Sequence, residues 1–164
     1  MRKLIHIFIC IALVGCESLE YSMLDGSIDA ESFSVEIFEE QAANAPAGYG
    51  ISYTEYLRDF IVSRSKLKLT AEEADIEISG KISKYFTSPV SIQSDENAAT
   101  NRLTISIEVS VINNKDEKQS FERNFSQFSD YDASLDLSAV EDELIEDINE
   151  KLSQDIVNQL SSNW

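Results

Sequence analysis

Leu103, Ile105, Ile107, Val109 and Val111 alternate without a break against Thr104, Ser106, Glu108 and Ser110. Successive side chains of a strand point to opposite faces, so this segment has one apolar and one wet face, and a second layer must cover the first. The same period recurs at Ile76, Ile78 and Ile82 against Glu77, Ser79 and Lys81, and at Phe33, Val35 and Ile37 against Ser34 and Glu36. Lys66-Leu67-Lys68-Leu69 reads as a short strand with both lysines on one face and both leucines on the other. The cluster Asn113-Asn114-Lys115-Asp116 has the composition of a turn and closes a hairpin onto residues 121–125. There Arg123 falls on the face of Phe121 and Phe125, so that strand has either an arginine on its apolar face or a bulge.

Two segments follow the helical period instead. Tyr53, Tyr56, Leu57, Phe60 and Ile61 fall on one stripe, after a breaker-dense stretch at 44–50 and a capping-box spacing from Ser52 to Glu55. Val140, Leu144, Ile148, Leu152, Ile156 and Leu160 recur every fourth residue, joined by Ile145 and Val157, after a second capping-box spacing from Ser138 to Glu141. Glu141, Asp142, Glu143, Glu146 and Asp147 crowd the first turns of this helix, where its dipole favours them. One-sided strands and two amphipathic helices predict an α+β two-layer sandwich, both helices on one sheet face and a Ser/Thr/charged face left open.

The first residues address a different question. Arg2 and Lys3 precede an apolar run from Leu4 to Val14 that ends in Leu13-Val14-Gly15-Cys16, with Glu17-Ser18 directly after it. The run is too short to span a ~30 Å hydrocarbon core and reads as a lipoprotein signal. Cleavage after Gly15 makes Cys16 the acylated N-terminus, a palmitate-type lipid anchor. The expected organisation is a signal peptide at 1–15, a lipid-anchored segment at 16–31 and a single domain at 32–164. His6, Cys10 and Cys16 are the only histidine and cysteines. The processed chain thus lacks imidazole and free thiol, which removes Ser-His triads, cysteine nucleophiles and Cys/His zinc sites. A non-enzyme without cofactor or catalytic metal is expected.

Thirteen basic residues face 30 acids, for a net charge of -17, and removal of Arg2 and Lys3 leaves 11 bases, or -19. Such a field repels nucleic acid and anionic surfaces in general. Bases are concentrated only between Arg58 and Arg102, where Arg64, Lys66, Lys68, Lys81 and Arg102 are the candidates for contact with an anionic ligand; Lys84 falls on the face opposite Lys81 unless a bulge intervenes. Asp130, Asp132, Ser134, Asp136, Ser138 and Glu141 have the spacing of an EF-hand loop, but the sharp-turn position carries Leu135 in place of glycine. An acidic loop before a capped helix is the expected reading.

Asn44-Ala45-Pro46, Ser65-Lys66-Leu67-Lys68-Leu69, Ala98-Ala99-Thr100-Asn101-Arg102-Leu103-Thr104-Ile105, Asn113-Asn114-Lys115-Asp116, Asp130-Tyr131-Asp132, the helix from Val140 and the terminal Asn163-Trp164, together with the lipobox, resemble the short, divergent branch of the LptE family of lipopolysaccharide-assembly lipoproteins. The resemblance implies two helices on a roughly four-stranded mixed sheet, in a lipoprotein on the periplasmic side of the outer membrane. It also implies that the chain plugs and helps assemble an LptD-type β-barrel for lipopolysaccharide transport. Family members bind lipopolysaccharide through basic residues, for which Arg64, Lys66, Lys68, Lys81 and Arg102 are the candidates here. The open sheet face and the loops at 44–50 and 88–97 are the expected docking surfaces. The competing reading is a lipoprotein subunit of another envelope complex, acting as a protein-docking module.

Overall fold

The alternating segment from Leu103 to Val111 lies at the centre of the structure, a computed structural model that describes residues 30–90 and 99–162. The signal segment, Cys16 and Glu17, most of the loop at 88–97 and the terminal Asn163-Trp164 lie outside the described residues. In chain order the elements are β1 (Ser32–Val35), β2 (Glu39–Glu40), α1 (Tyr49–Arg64), β3 (Lys68–Leu69), β4 (Ile76–Val90), β5 (Thr100–Asn113), a 3-10 turn (Glu117–Gln119), β6 (Phe121–Asp132) and α2 (Leu137–Ser162). They form one mixed sheet in the order β3-β1-β4-β5-β6, with β2 also paired to β4. The pairs β1–β3, β1–β4 and β2–β4 are parallel, and β4–β5–β6 is an antiparallel meander. Both helices cover one face, as expected of the two-layer α+β sandwich. Four principal strands carry the sheet, and β2 and β3 add two residues each.

Period explains the core. Leu103, Ile105, Ile107, Val109 and Val111 are all buried, as are Ile76, Ile78 and Ile82. The stripe Tyr53, Leu57, Phe60 and Ile61 of α1 packs on them beside Leu144, Ile148, Leu152, Ile156 and Leu160 of α2. Polar bonds tie α2 to its neighbours: Tyr49 Oη of α1 donates to Asn149 Oδ1 at 2.6 Å, and Tyr85 Oη of β4 to Glu141 Oε1 at 2.5 Å. Asp75 pins the start of β1: its carboxylate accepts the N–H of Glu31 at 2.7 Å and of Ser32 at 3.1 Å and pairs with Lys115 at 3.2 Å. These donors, the Glu31 N–H first, hold its carboxyl below the usual aspartate range.

Local readings fail where elements are short. β1 stops at Val35; Ile37 is 59% exposed, and Phe38, 1% exposed, takes the inward place. The reason lies in α1, where Thr54 Oγ1 accepts the Phe38 N–H at 3.0 Å and donates to the Gly50 carbonyl at 2.7 Å. α1 begins at Tyr49, one turn before the capping box at Ser52: Gly48 sits at φ 81 at the helix start, and Ser52 Oγ donates back to its carbonyl at 3.3 Å. Glu55 is paired with Arg58 at 2.6 Å instead of closing a box. In α2, Ala139 N–H bonds the Asp136 carbonyl at 3.0 Å and Glu141 serves Tyr85, so the box at Ser138 is not formed either. At β3 the expected alternation holds only in part: Leu67 is buried ahead of the strand and Lys66 and Lys68 are exposed, but Leu69 is 46% exposed within it. No register shift interrupts β5–β6, so Arg123 does lie on the helix-side face, opposite Val109, exposed on the edge strand.

Candidate functional site

Among the described residues, one face of the sheet carries no second layer. Its residues lie in rows across β4, β5 and β6. Ser79, Ser110 and Glu122 form one row, and Lys81, Glu108 and Asn124 the next. Then come Lys84, Ser106 and Ser126, followed by Phe86, Thr104 and Phe128, and by Ser88, Arg102 and Asp130. Pleating sends these side chains outward, because their neighbours along each strand point to the helix side. The face is hydroxyl-rich, and Ser106 Oγ and Ser126 Oγ lie 2.9 Å apart.

Charge is spread unevenly along the rows. At one end Glu36, Glu39, Glu108 and Glu122 line a shallow cleft of about 260 Å³ with Lys81 among them. Lys81 Nζ lies 2.7 Å from Glu108 Oε2, and the Glu108 contact, with Glu39 and Glu122 adding to it, raises the ammonium pKa. At the other end Arg102 donates to both carboxylate oxygens of Asp130, at 2.7 and 2.9 Å, and its guanidinium lies 3.5 Å from the Phe128 ring centroid. Each stabilises the other's charged form, which holds Asp130 below and Arg102 above its ordinary value. Between these ends Phe86 and Phe128 are 42% and 43% exposed, in one cross-strand row.

The candidate basic residues do not converge. Lys81 and Arg102 share the open face but stand three rows apart, or about 20 Å along the strands. Lys68 faces Ser32 on the edge strand, at the far end of the sheet. Lys66 precedes β3 and is exposed, and Arg64 lies on the helix side, 3.9 Å from Glu150 and over the Phe60 ring. Lys84 is the residue that the strand pattern misplaced. A register shift between Ile82 and Lys84 turns it onto the face of Lys81, where no carboxylate pairs with it among the described residues. Two hydrophilic residues separate Ile82 from Tyr85, where strict alternation allows one, and that was the signal of a bulge.

The acidic loop is divided among separate tasks. Asp130 pairs with Arg102, Asp132 accepts the Ser134 N–H at 2.8 Å, and Glu141 accepts from Tyr85. No group of three metal-ligating side chains occurs among the described residues, and no described helix is long and apolar enough to cross a membrane.

Comparison with known proteins agrees with this architecture. A minor lipoprotein from Acinetobacter baumannii superposes with a TM-score of 0.54 at 14% identity, over 83% of this chain and 96% of that one. The rare lipoprotein B of Shewanella oneidensis gives a TM-score of 0.52 at 15% identity, over 80% and 95%. A protein from Xanthomonas campestris gives 0.56 at 10% identity, over 84% and 87%. At such identities the likeness is one of fold, and no curated protein sequence matches the chain. The model of the family LptE, described as lipopolysaccharide-assembly, matches residues 30–160, which is nearly the whole described domain. The chain belongs to the LptE family.

Proposed function

We propose that this protein is an outer-membrane lipoprotein, processed after Gly15 and anchored through acylated Cys16, whose domain at 32–164 docks into an LptD-type β-barrel. There it serves as plug and assembly factor for lipopolysaccharide transport. The observation that carries the reading is the family match across residues 30–160. The open sheet face supports it physically. A surface that is wide, hydroxyl-rich and only locally charged suits the partly polar wall of a barrel lumen better than it suits a small-molecule pocket. Two of its carboxylates, Glu108 and Asp130, are each paired with a cation.

Docking ranks above direct binding of lipopolysaccharide. Lys81 and Arg102 already have carboxylate partners, and the remaining candidates, Arg64, Lys66 and Lys68, lie near the far side of the sheet from Arg102. Lipopolysaccharide is proposed to meet the chain at the exposed Lys66 and Lys68, so reversal of both lysines lowers its salt-dependent binding and leaves barrel association intact.

Depletion of the protein tests the main reading. The partner barrel is expected to misassemble and the cell to admit bulky antibiotics; an unchanged barrel and an unchanged barrier overturn the assignment. The anchor is tested separately. The processed protein takes up labelled fatty acid and partitions with outer membranes, Cys16→Ala abolishes both, and a soluble processed wild type refutes the lipid link.

A further inference from the structure

β4 is covered along its outer side only in its first half. β1 pairs with it at Ile76–Ile78 and β2 at Lys81 and Ile82, and the N–H groups of Gln41 and Ala42 both end on the Ile82 carbonyl, at 3.1 and 3.0 Å. Beyond that point no strand pairs with this side of β4 among the described residues. The register tells which groups are left. Ile82 faces Ile107, Tyr85 faces Ile105, Thr87 faces Leu103 and Pro89 faces Asn101. Those β5 residues are two apart, so their β4 partners share one hydrogen-bonding direction, and the Ile82 carbonyl fixes that direction as outward. Tyr85 and Thr87 therefore present N–H and C=O groups to the open side. Pro89 has no N–H to leave unmet, and it ends the ladder.

We propose that this free edge of β4, from Lys84 to Pro89, receives an extended segment of the partner barrel protein as an added strand. The inference rests on the barrel reading above and goes beyond it in naming the mode of contact. Backbone ladders supply affinity and alternate side chains supply selectivity in such additions. A closed barrel offers no strand edge of its own, so the segment comes from a loop or a terminal extension.

Charge selects the occupant. The stretch from Ile78 to Val90 contains Lys81 and Lys84 and no carboxylate, in a chain with 30 acids. Where this chain adds its own strand to β4, Glu39 stands opposite Lys81. Lys84, one row further on the same face, has no such partner among the described residues. A segment with a carboxylate beside Lys84 and an apolar side chain beside Phe86 continues the pattern. The opposite sheet edge is capped in part by α2: Lys151 Nζ donates to the Phe128 carbonyl of β6 at 3.1 Å, and the Gln127 side chain is held by Asp155 at 2.6 Å. A second copy is disfavoured as occupant, because two chains of like and large charge must then be brought together.

The test uses the full lipidated chain in cells. A photoreactive benzoyl-phenylalanine replaces Phe86 in one strain and Asn124 of β6 in another, and the barrel protein is co-purified. A crosslink from position 86 to a loop or terminal segment of the barrel protein is expected, whereas position 124, on the open face away from the β4 edge, should reach only the barrel wall. Thr87→Pro, which removes an outward N–H as Pro89 already does, should lower co-purified barrel at least tenfold, and Lys84→Glu at least threefold. Should Thr87→Pro fail to fold, Lys84→Glu and the crosslink decide. Full barrel recovery with Lys84→Glu and with folded Thr87→Pro, or a crosslink from 86 to a second copy or within the chain, overturns the inference while the barrel reading stands. If wild-type protein brings down no barrel, both fall.

Discussion

Gly80→Ala is expected to destabilise the domain by about 2–3 kcal/mol, near the upper end for an overpacked core site. A Cβ at this position would lie 2.5 Å from Cε1 of Phe38 and 2.6 Å from the Glu108 carbonyl oxygen. The phenyl ring could withdraw only by giving up its burial and its edge-on contact with Tyr53, whose ring centroid is 5.1 Å away. The carbonyl belongs to the β4–β5 ladder and cannot yield without breaking pairing. For a domain of this size the loss corresponds to a fall in Tm of about 6–12 °C, which leaves a folded protein to measure. Thermal and urea unfolding followed by circular dichroism give the value. Phe38→Leu, which shortens the obstructing side chain, should recover about 1 kcal/mol of it in a double-mutant cycle, and the residue left is the carbonyl clash. Gly80→Ala within 0.5 kcal/mol of wild type, or strict additivity with Phe38→Leu, refutes the claim that a missing Cβ seats Phe38.

Three further outcomes follow from the same geometry. Burial raises the phenol pKa of Tyr49 and Tyr53, and burial with the Glu141 contact raises that of Tyr85; their contribution to stability is complete below about pH 10, the unfolded value, and is lost as the pH rises above it. Ultraviolet titration should show these three ionising only with unfolding, and early ionisation in the folded state refutes it. Asp75, with its pKa lowered, contributes above about pH 4 and loses its contribution as the pH falls through its folded value, so Asp75→Asn should lower Tm at pH 7 and flatten the acid limb of the stability curve. Lys81→Glu places a fifth carboxylate in the cleft with Glu36, Glu39, Glu108 and Glu122 and should lower Tm clearly more than Lys84→Glu does; equal shifts in a melting assay contradict the assignment of their surroundings.

The long elements were legible because their period repeats. A run such as Leu103 to Val111 or Val140 to Leu160 states its buried face several times over, and one layer arrangement satisfies all of it. The short pieces were not, because partners outside them set their limits. β1 ends where Thr54 and Gly50 of α1 draw Phe38 inward, and nothing in residues 33–38 announces that. β2 exists because Glu39 and Glu40 lie along a strand that pairs elsewhere with β1 and β5. The helix starts were misplaced for a related reason. Gly48 supplies a left-handed residue at the beginning of α1, so the chain enters the helix before Ser52 can cap it.

The candidate site shows how far face alone can mislead. Lys81 and Arg102 do share a face, as the alternation predicts, but face is a property of parity and proximity is a property of register. Once β4, β5 and β6 pair in their observed registers, Glu108 stands opposite Lys81 and Asp130 opposite Arg102, so the two cations have local partners and separate positions. The bulge before Lys84 has the opposite effect, because one inserted residue brings onto the open face a lysine that parity had assigned to the core side. With a screening length of ~8 Å at physiological ionic strength, the acidic cleft around Lys81 is felt only weakly at the row of Phe86, Thr104 and Phe128. The distal half of the open face and the adjoining edge of β4 can therefore behave as a nearly neutral surface on a strongly acidic protein. A partner that met the whole molecule would encounter repulsion or steering from its net charge, whereas one that meets this half encounters exposed rings, hydroxyls and unpaired backbone.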